Sequence, residues 1–235
     1  MVRKPLLMLV QLAFLFALFA CNNGNLPPDS DDKSVKSVLF EWNRTITPIS
    51  NTIAAGTPVY SGFGGIYFRS FGSSGIAAYY GALNMTGDNR LVIVGAASSG
   101  EATGADTHVP GAFDFSDGTF RLTIDYNNPA ASGSNYVLRV SVNNNQTGQA
   151  ESVLGISSNI CQYRTAANLQ NGDGTGAASG IYQTAQPNRI IIEFTPDILF
   201  AGSVNKDSLG TAFIALNCQG GSKITVTGIK LEKLV

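Results

Sequence analysis

The sequence predicts an all-β fold, an antiparallel β-sandwich of jelly-roll type, and three observations carry that prediction. From about Ser37 onward, apolar residues recur with a period of two rather than 3.6. The 26 glycines supply the turns between these alternating runs. No stretch of comparable length carries a helical period. Ten or eleven short strands with glycine-rich turns argue for a sandwich or barrel.

In chain order, the candidate strands begin with SVLFEW (37–42), GGIYFRS (64–70), IAAYYGA (76–82) and RLVIVGA (90–96). TFRLTIDY (119–126) puts Phe120, Leu122, Ile124 and Tyr126 on one face and Arg121, Thr123 and Asp125 on the other. YVLRVSVN (136–143) repeats the pattern, with Tyr136, Leu138, Val140 and Val142 inward and Arg139, Ser141 and Asn143 outward. The intervening NNPAASGSN is rich in turn formers, so the two strands are expected to form an antiparallel hairpin, with Asp125 in salt-bridge reach of Arg139. ICQYR (160–164), GIYQT (180–184), RIIIEF (189–194), TAFIAL (211–216) and KITVTGIKLEKL (223–234) follow. In the last of these, Ile224 and Val226 share a face that Ile229 and Leu231 rejoin only if Gly228 absorbs one extra residue, which predicts a bulge. The first and last strands are expected to pair or lie close together. Trp42 is read as a core plug in preference to a sugar platform.

Ahead of this domain, Arg3 and Lys4 precede an apolar run from Pro5 to Ala20 broken by Gln11. A bilayer span needs about 20 apolar residues, so the run reads as a secretory signal. Its end, Leu18-Phe19-Ala20-Cys21, resembles the lipobox of bacterial lipoproteins. That resemblance implies cleavage before Cys21, acylation of Cys21 and attachment to the cell envelope. Asn22 after the cysteine implies the outer membrane in the sorting scheme of such lipoproteins, and Asp29, Asp31 and Asp32 resemble acidic surface-export signals. Residues 21–36, rich in Asn, Pro, Asp and Ser, are expected to form a flexible tether. The expected organisation is a signal peptide at 1–20, the tether at 21–36 and one sandwich domain at 37–235.

Without the signal, 13 basic residues face 16 acidic ones, a formal charge of −3. With no basic excess to neutralise phosphates, nucleic acid is not an expected partner. If Cys21 carries lipid, Cys161 and Cys218 remain as a pair in an oxidising compartment, and a disulfide between them is expected. Two free buried thiols are the alternative.

The succession DFSDGTFRLTIDY, YVLRVSVNNN and GTAFIALNCQGGSKITVTGIKLEKL resembles the jelly-roll carbohydrate-binding modules of bacterial glycan-degrading systems. The resemblance implies binding of polysaccharide. Such modules often carry an acidic residue near the start of the closing strand that helps hold a structural calcium. Thr227 and Gly228 stand there in this chain, so the resemblance does not extend to calcium.

Motifs for catalysis are weak. The single histidine, His108, lies in a loop-like segment near Asp106, too few ligands for zinc and with no nucleophile motif beside it. No G-x-S-x-G elbow occurs. The acidic residues, among them Asp88, Glu101, Asp114, Asp117, Glu151 and Glu193, do not take the spacing of jelly-roll glucanases. NGDGTG (171–176), with Asp173, offers oxygen ligands suited to calcium but reads first as a turn, so no cofactor is expected.

Binding residues are better represented. Sugars pack their C–H faces on aromatic rings and hydrogen-bond to planar polar side chains. With Ile66 and Phe68 inward, Tyr67 and Arg69 point outward, and at least one of the adjacent Tyr79 and Tyr80 must leave the core. With Arg121, Asp125, Arg139 and Asn143, they form the expected ligand surface. The sequence therefore reads as a non-enzymatic envelope lipoprotein binding polysaccharide. A surface subunit recognising protein and a small polysaccharide lyase remain as alternatives.

Overall fold

The computed structural model of the chain describes residues 33–54, 59–71, 75–87, 89–95, 112–144, 157–172, 174, 182–195 and 212–235. The chain divides into two compact units, Met1–Ser34 and Val35–Val235. The account below concerns the second. The expected signal peptide, Cys21, most of the tether, Asp106, His108 and Asp173 lie outside the described residues.

The second unit is a sandwich of two antiparallel sheets. Thirteen strands are described: β1 (Val35–Asn43), β2 (Val59–Phe63), β3 (Ile66–Phe71), β4 (Ala77–Tyr79), β5 (Ala82–Thr86), β6 (Arg90–Gly95), β7 (Thr119–Ala130), β8 (Leu138–Asn144), β9 (Ser157–Tyr163), β10 (Tyr182–Gln186), β11 (Arg189–Phe194), β12 (Ala212–Asn217) and β13 (Lys223–Leu234). A seven-stranded sheet runs β10-β11-β7-β13-β5-β4, with β1 also on β13, and a six-stranded sheet runs β2-β3-β6-β12-β8-β9. β13 carries two partners along one edge: β5 against Lys223–Val226 and β1 against Gly228–Leu234. The first and last strands thus pair, as their sequences suggest.

Alternation builds the core. Phe120, Leu122, Ile124 and Tyr126 of β7 and Ile190, Ile192 and Phe194 of β11 face Leu91 and Ile93 of β6, Ile214 and Leu216 of β12, and Val140 and Val142 of β8. Each such side chain fully withdrawn from water contributes about 1.5–3 kcal/mol. Phe113, Phe115, Phe120 and Phe194 form an aromatic cluster, with Phe120 and Phe194 stacked at 5.5 Å. Trp42 is 2% exposed, lies edge-on to Phe68 at 5.1 Å, and donates its Nε1–H to the Thr47 carbonyl at 2.8 Å, so it is the core plug the sequence suggests. The predicted bulge is present as a register shift between Val226 and Gly228, and it returns Ile229 and Leu231 to the core.

Four expectations are corrected. β7 and β8 are not a hairpin: they belong to opposite sheets, so the intervening segment crosses the sandwich. Ser132 N–H donates to Ser222 Oγ and Asn135 Nδ2 to the Gly220 carbonyl, pinning that crossing to the β12–β13 connection. Tyr136 consequently stays outside the core strand, and Asp125 cannot reach Arg139. The run read as one strand at 76–82 folds back on itself at Tyr80-Gly81 to give β4 and β5, because φ is positive at both residues (49° and 75°). A short helix, α1 (Ala166–Asn171), interrupts the strands. Thr165 caps it by accepting from Asn168 N–H, Gly172 ends it at φ 73°, and only Leu169 anchors it, too little pattern to read as a helical period.

The fourth correction is the disulfide. Cys161 and Cys218 are both buried and are not joined by a disulfide. β8 lies between β9, which carries Cys161, and β12, which ends just before Cys218, with Cys161 opposite Val140 and Val140 opposite Leu216. Two inter-strand spacings separate Cα atoms by about 10 Å, beyond the reach of a disulfide.

Candidate functional site

The eight residues expected to form one surface divide between two opposite outer faces. Arg121 and Asp125 lie on β7, Tyr79 on β4 and Tyr80 in the β4–β5 turn, all in the seven-stranded sheet. Tyr67 and Arg69 lie on β3 and Arg139 and Asn143 on β8, in the six-stranded sheet. The Asn143 side chain is outside the described set.

Register fixes the floor of the seven-stranded face. Arg189, Asp125, Gly228 and Asn43 lie in one row, Ile191, Thr123, Lys230 and Glu41 in the next, and Glu193, Arg121 and Glu232 in a third. Gly228 contributes no side chain to the middle of the first row. A depression of about 330 Å³ opens over these rows. Its charges other than Glu41 are paired and held. Arg189 grips Asp125 through a fork, Nε to Oδ1 at 2.6 Å and Nη2 to Oδ2 at 3.0 Å, which raises the Arg189 pKa further. Arg121 places Nε and Nη2 on Glu193 Oε1 at 2.9 and 2.7 Å, and Lys230 Nζ meets Glu232 Oε1 at 2.6 Å. Glu193 and Glu232 are buried while Glu41 is exposed.

On the same sheet stand Tyr79 and Tyr80, 63% and 79% exposed, with ring centroids 4.2 Å apart at 65°. The hydrogen bond between their hydroxyls holds the Tyr79 pKa above its usual value. Their turn is braced from below: the Gly81 carbonyl accepts from Ile49 N–H, and a Cβ on Gly81 would stand 2.8 Å from Pro48 Cβ and 3.1 Å from the Arg44 carbonyl. Arg44 and Pro48, which Gly81 approaches, follow Asn43 at the end of β1, and Asn43 lines the depression; the two tyrosines themselves do not line it.

The six-stranded face has another character. Tyr67 packs with Val92, Val94, Phe213 and Ala215 and meets Tyr60 edge-on at 5.6 Å. Next to them runs the row Arg90, Asn217, Arg139, Gln162, with Arg69 one row away opposite Val92.

The sequence reading missed Arg189, Lys230 and Glu41 as members of the seven-stranded floor, and Arg90 and Asn217 on the other face. All occupy outward positions in strands that were recognised, so alternation gave their orientation. Their neighbours depended on strand order.

Fold and site together define an antiparallel β-sandwich with a polar depression and an exposed tyrosine pair on one sheet. No known family model matches this chain, and no curated protein matches its sequence.

Proposed function

We propose that the protein is an envelope-anchored lipoprotein that captures extracellular polysaccharide on the outer face of its seven-stranded sheet without transforming it. One observation carries this reading: two exposed tyrosines braced at a turn of the same sheet that bears a depression floored by Arg121, Asp125, Arg189, Lys230 and Glu41. Sugar C–H faces stack on Tyr79 and Tyr80. Hydroxyls then exchange hydrogen bonds with the floor. Asp125 retains lone pairs after accepting the Arg189 fork, and Arg189 retains N–H donors, so one pair serves a hydroxyl as both acceptor and donor. Because partners already hold these side chains, binding forfeits little rotamer entropy. Acylation at Cys21 would keep the face at the envelope, raising its effective concentration toward bound polymer.

A glycan microarray probed with the full-length chain tests the reading. Retention on one or more polysaccharides is expected, reduced at least tenfold by Tyr79→Ala/Tyr80→Ala with the circular dichroism spectrum unchanged. Silence across the panel would refute glycan binding and favour a protein ligand.

A further inference from the structure

We propose that the depression on the seven-stranded sheet selects its glycan by charge: it takes a polymer bearing protonated amino groups, with Glu41 as their acceptor, and refuses uronates. The inference rests on the reading of this face as a polysaccharide site and adds to it the class of sugar.

Three cations line the depression, and each already holds an anion. Arg189 is forked on Asp125, Arg121 rests on Glu193, and Lys230 meets Glu232 at 2.6 Å. Glu193 and Glu232 are buried, so these pairs belong to the floor. Glu41 is the carboxylate left over. It lines the same depression, is exposed, and makes no hydrogen bond or ion pair among the described residues. Lys230 stands opposite it in the β1–β13 register, yet its ammonium is turned to Glu232, two residues along its own strand. Glu41, Asp125, Glu193 and Glu232 against Arg121, Arg189 and Lys230 leave a formal charge of −1, and that charge sits where solvent and ligand reach it.

An incoming uronate carboxylate finds every cation occupied and adds another negative group to a site short of positive ones. A protonated amine meets the opposite situation. Glu41 keeps all its lone pairs for N–H donors, and the contact is a charge-assisted hydrogen bond that restores neutrality. The backbone leaves room for the sugar that carries the amine. Gly228 opens the row between Asp125 and Asn43, and Glu41 lies diagonally across the β1–β13 pair from Gly228, about 7–8 Å away, within the span of one monosaccharide and its substituent. A ring over Gly228 offers hydroxyls to the Asp125–Arg189 pair and its amine to Glu41.

The test is a titration of the full-length chain with three oligosaccharides: hexaglucosamine, at mildly acidic pH where its amines are protonated, cellohexaose, which has hydroxyls in their place, and hexagalacturonate. Hexaglucosamine should bind about fivefold tighter than cellohexaose, the size of effect one accessible ion pair gives, and hexagalacturonate should bind weakest. Glu41→Gln should bring hexaglucosamine to the level of cellohexaose, and Glu41→Asp should keep part of the preference. Asp117→Asn, which removes an exposed carboxylate outside the depression, should leave the preference intact and so separates Glu41 from the general charge of the protein. Tyr79→Ala/Tyr80→Ala should weaken hexaglucosamine and cellohexaose alike. Failure to bind hexaglucosamine, equal affinity for it and cellohexaose, tighter binding of hexagalacturonate, or a preference that survives Glu41→Gln would overturn the charge selection. Polysaccharide capture on this face would still stand if the array retains another glycan, and an array silent throughout would overturn both.

Discussion

Tyr80 is held at φ 49°, a conformation that suits glycine or asparagine and strains a bulky aromatic residue. Such strain costs about 1–3 kcal/mol, more than an exposed ring pair returns, and tends to persist where function uses it. Tyr80→Gly should therefore raise stability in urea unfolding by about 1 kcal/mol while weakening glycan binding. A loss of stability would remove the argument that Tyr80 is kept for its ring. Burial pushes the Cys161 thiol up to about 12, partly offset by the hydrogen bond from Tyr163, whose own hydroxyl is raised chiefly by burial. Both acids ionise first in the unfolded chain. Their contribution is therefore intact below the ordinary thiol range of about 8.5 and is lost as pH climbs toward the folded value. Unfolding free energy should fall above about pH 9, less steeply in Cys161→Ala. A thiol reagent at pH 8 should modify Cys161 and Cys218 only after denaturation, and non-reducing electrophoresis should show no mobility change on reduction. Faster migration before reduction would contradict the absence of a disulfide between Cys161 and Cys218.

At the level of elements, Gly228 joins fold to site. Its bulge keeps both halves of β13 facing the core, and its missing side chain leaves the row between Asp125 and Asn43 open. A Cβ there would stand 3.1 Å from Asp125 Oδ2 and 3.4 Å from the Trp42 carbonyl. Gly228→Val should displace the Asp125 carboxylate from Arg189 and weaken glycan binding at least tenfold, at a stability cost of about 1–3 kcal/mol. Unchanged affinity would place the ligand elsewhere. This bulge was legible in the sequence because the periodicity of KITVTGIKLEKL breaks there. The fold-back at Tyr80-Gly81 was not, since continuous apolar residues across IAAYYGA conceal a turn made by backbone conformation alone. Nor was the crossing after β7. NNPAASGSN suits a hairpin and a crossover equally, and the hydrogen bonds that decide between them come from Gly220 and Ser222, distant in sequence.

Across the whole molecule, alternation showed which side chains leave the core and left open which of two outer faces they join. Strand order supplied that. Asp125 meets Arg189 on β11 rather than Arg139, and the surface read as one becomes two, the first bearing paired charges, Glu41 and the exposed tyrosines, the second rich in arginine. Anchoring belongs to this scale as well: Cys21→Ala should leave an unprocessed precursor, detected by its mass and by loss of acyl-chain labelling, and normal maturation would count against lipidation. The most direct test of the central claim is the binding isotherm of the full-length chain for a polysaccharide retained on the array, compared with Tyr79→Ala/Tyr80→Ala and with Asp125→Ala. The account predicts at least a tenfold rise in Kd for each, about 1.4 kcal/mol or more, with thermal unfolding little changed. Identical isotherms for all three proteins would contradict it.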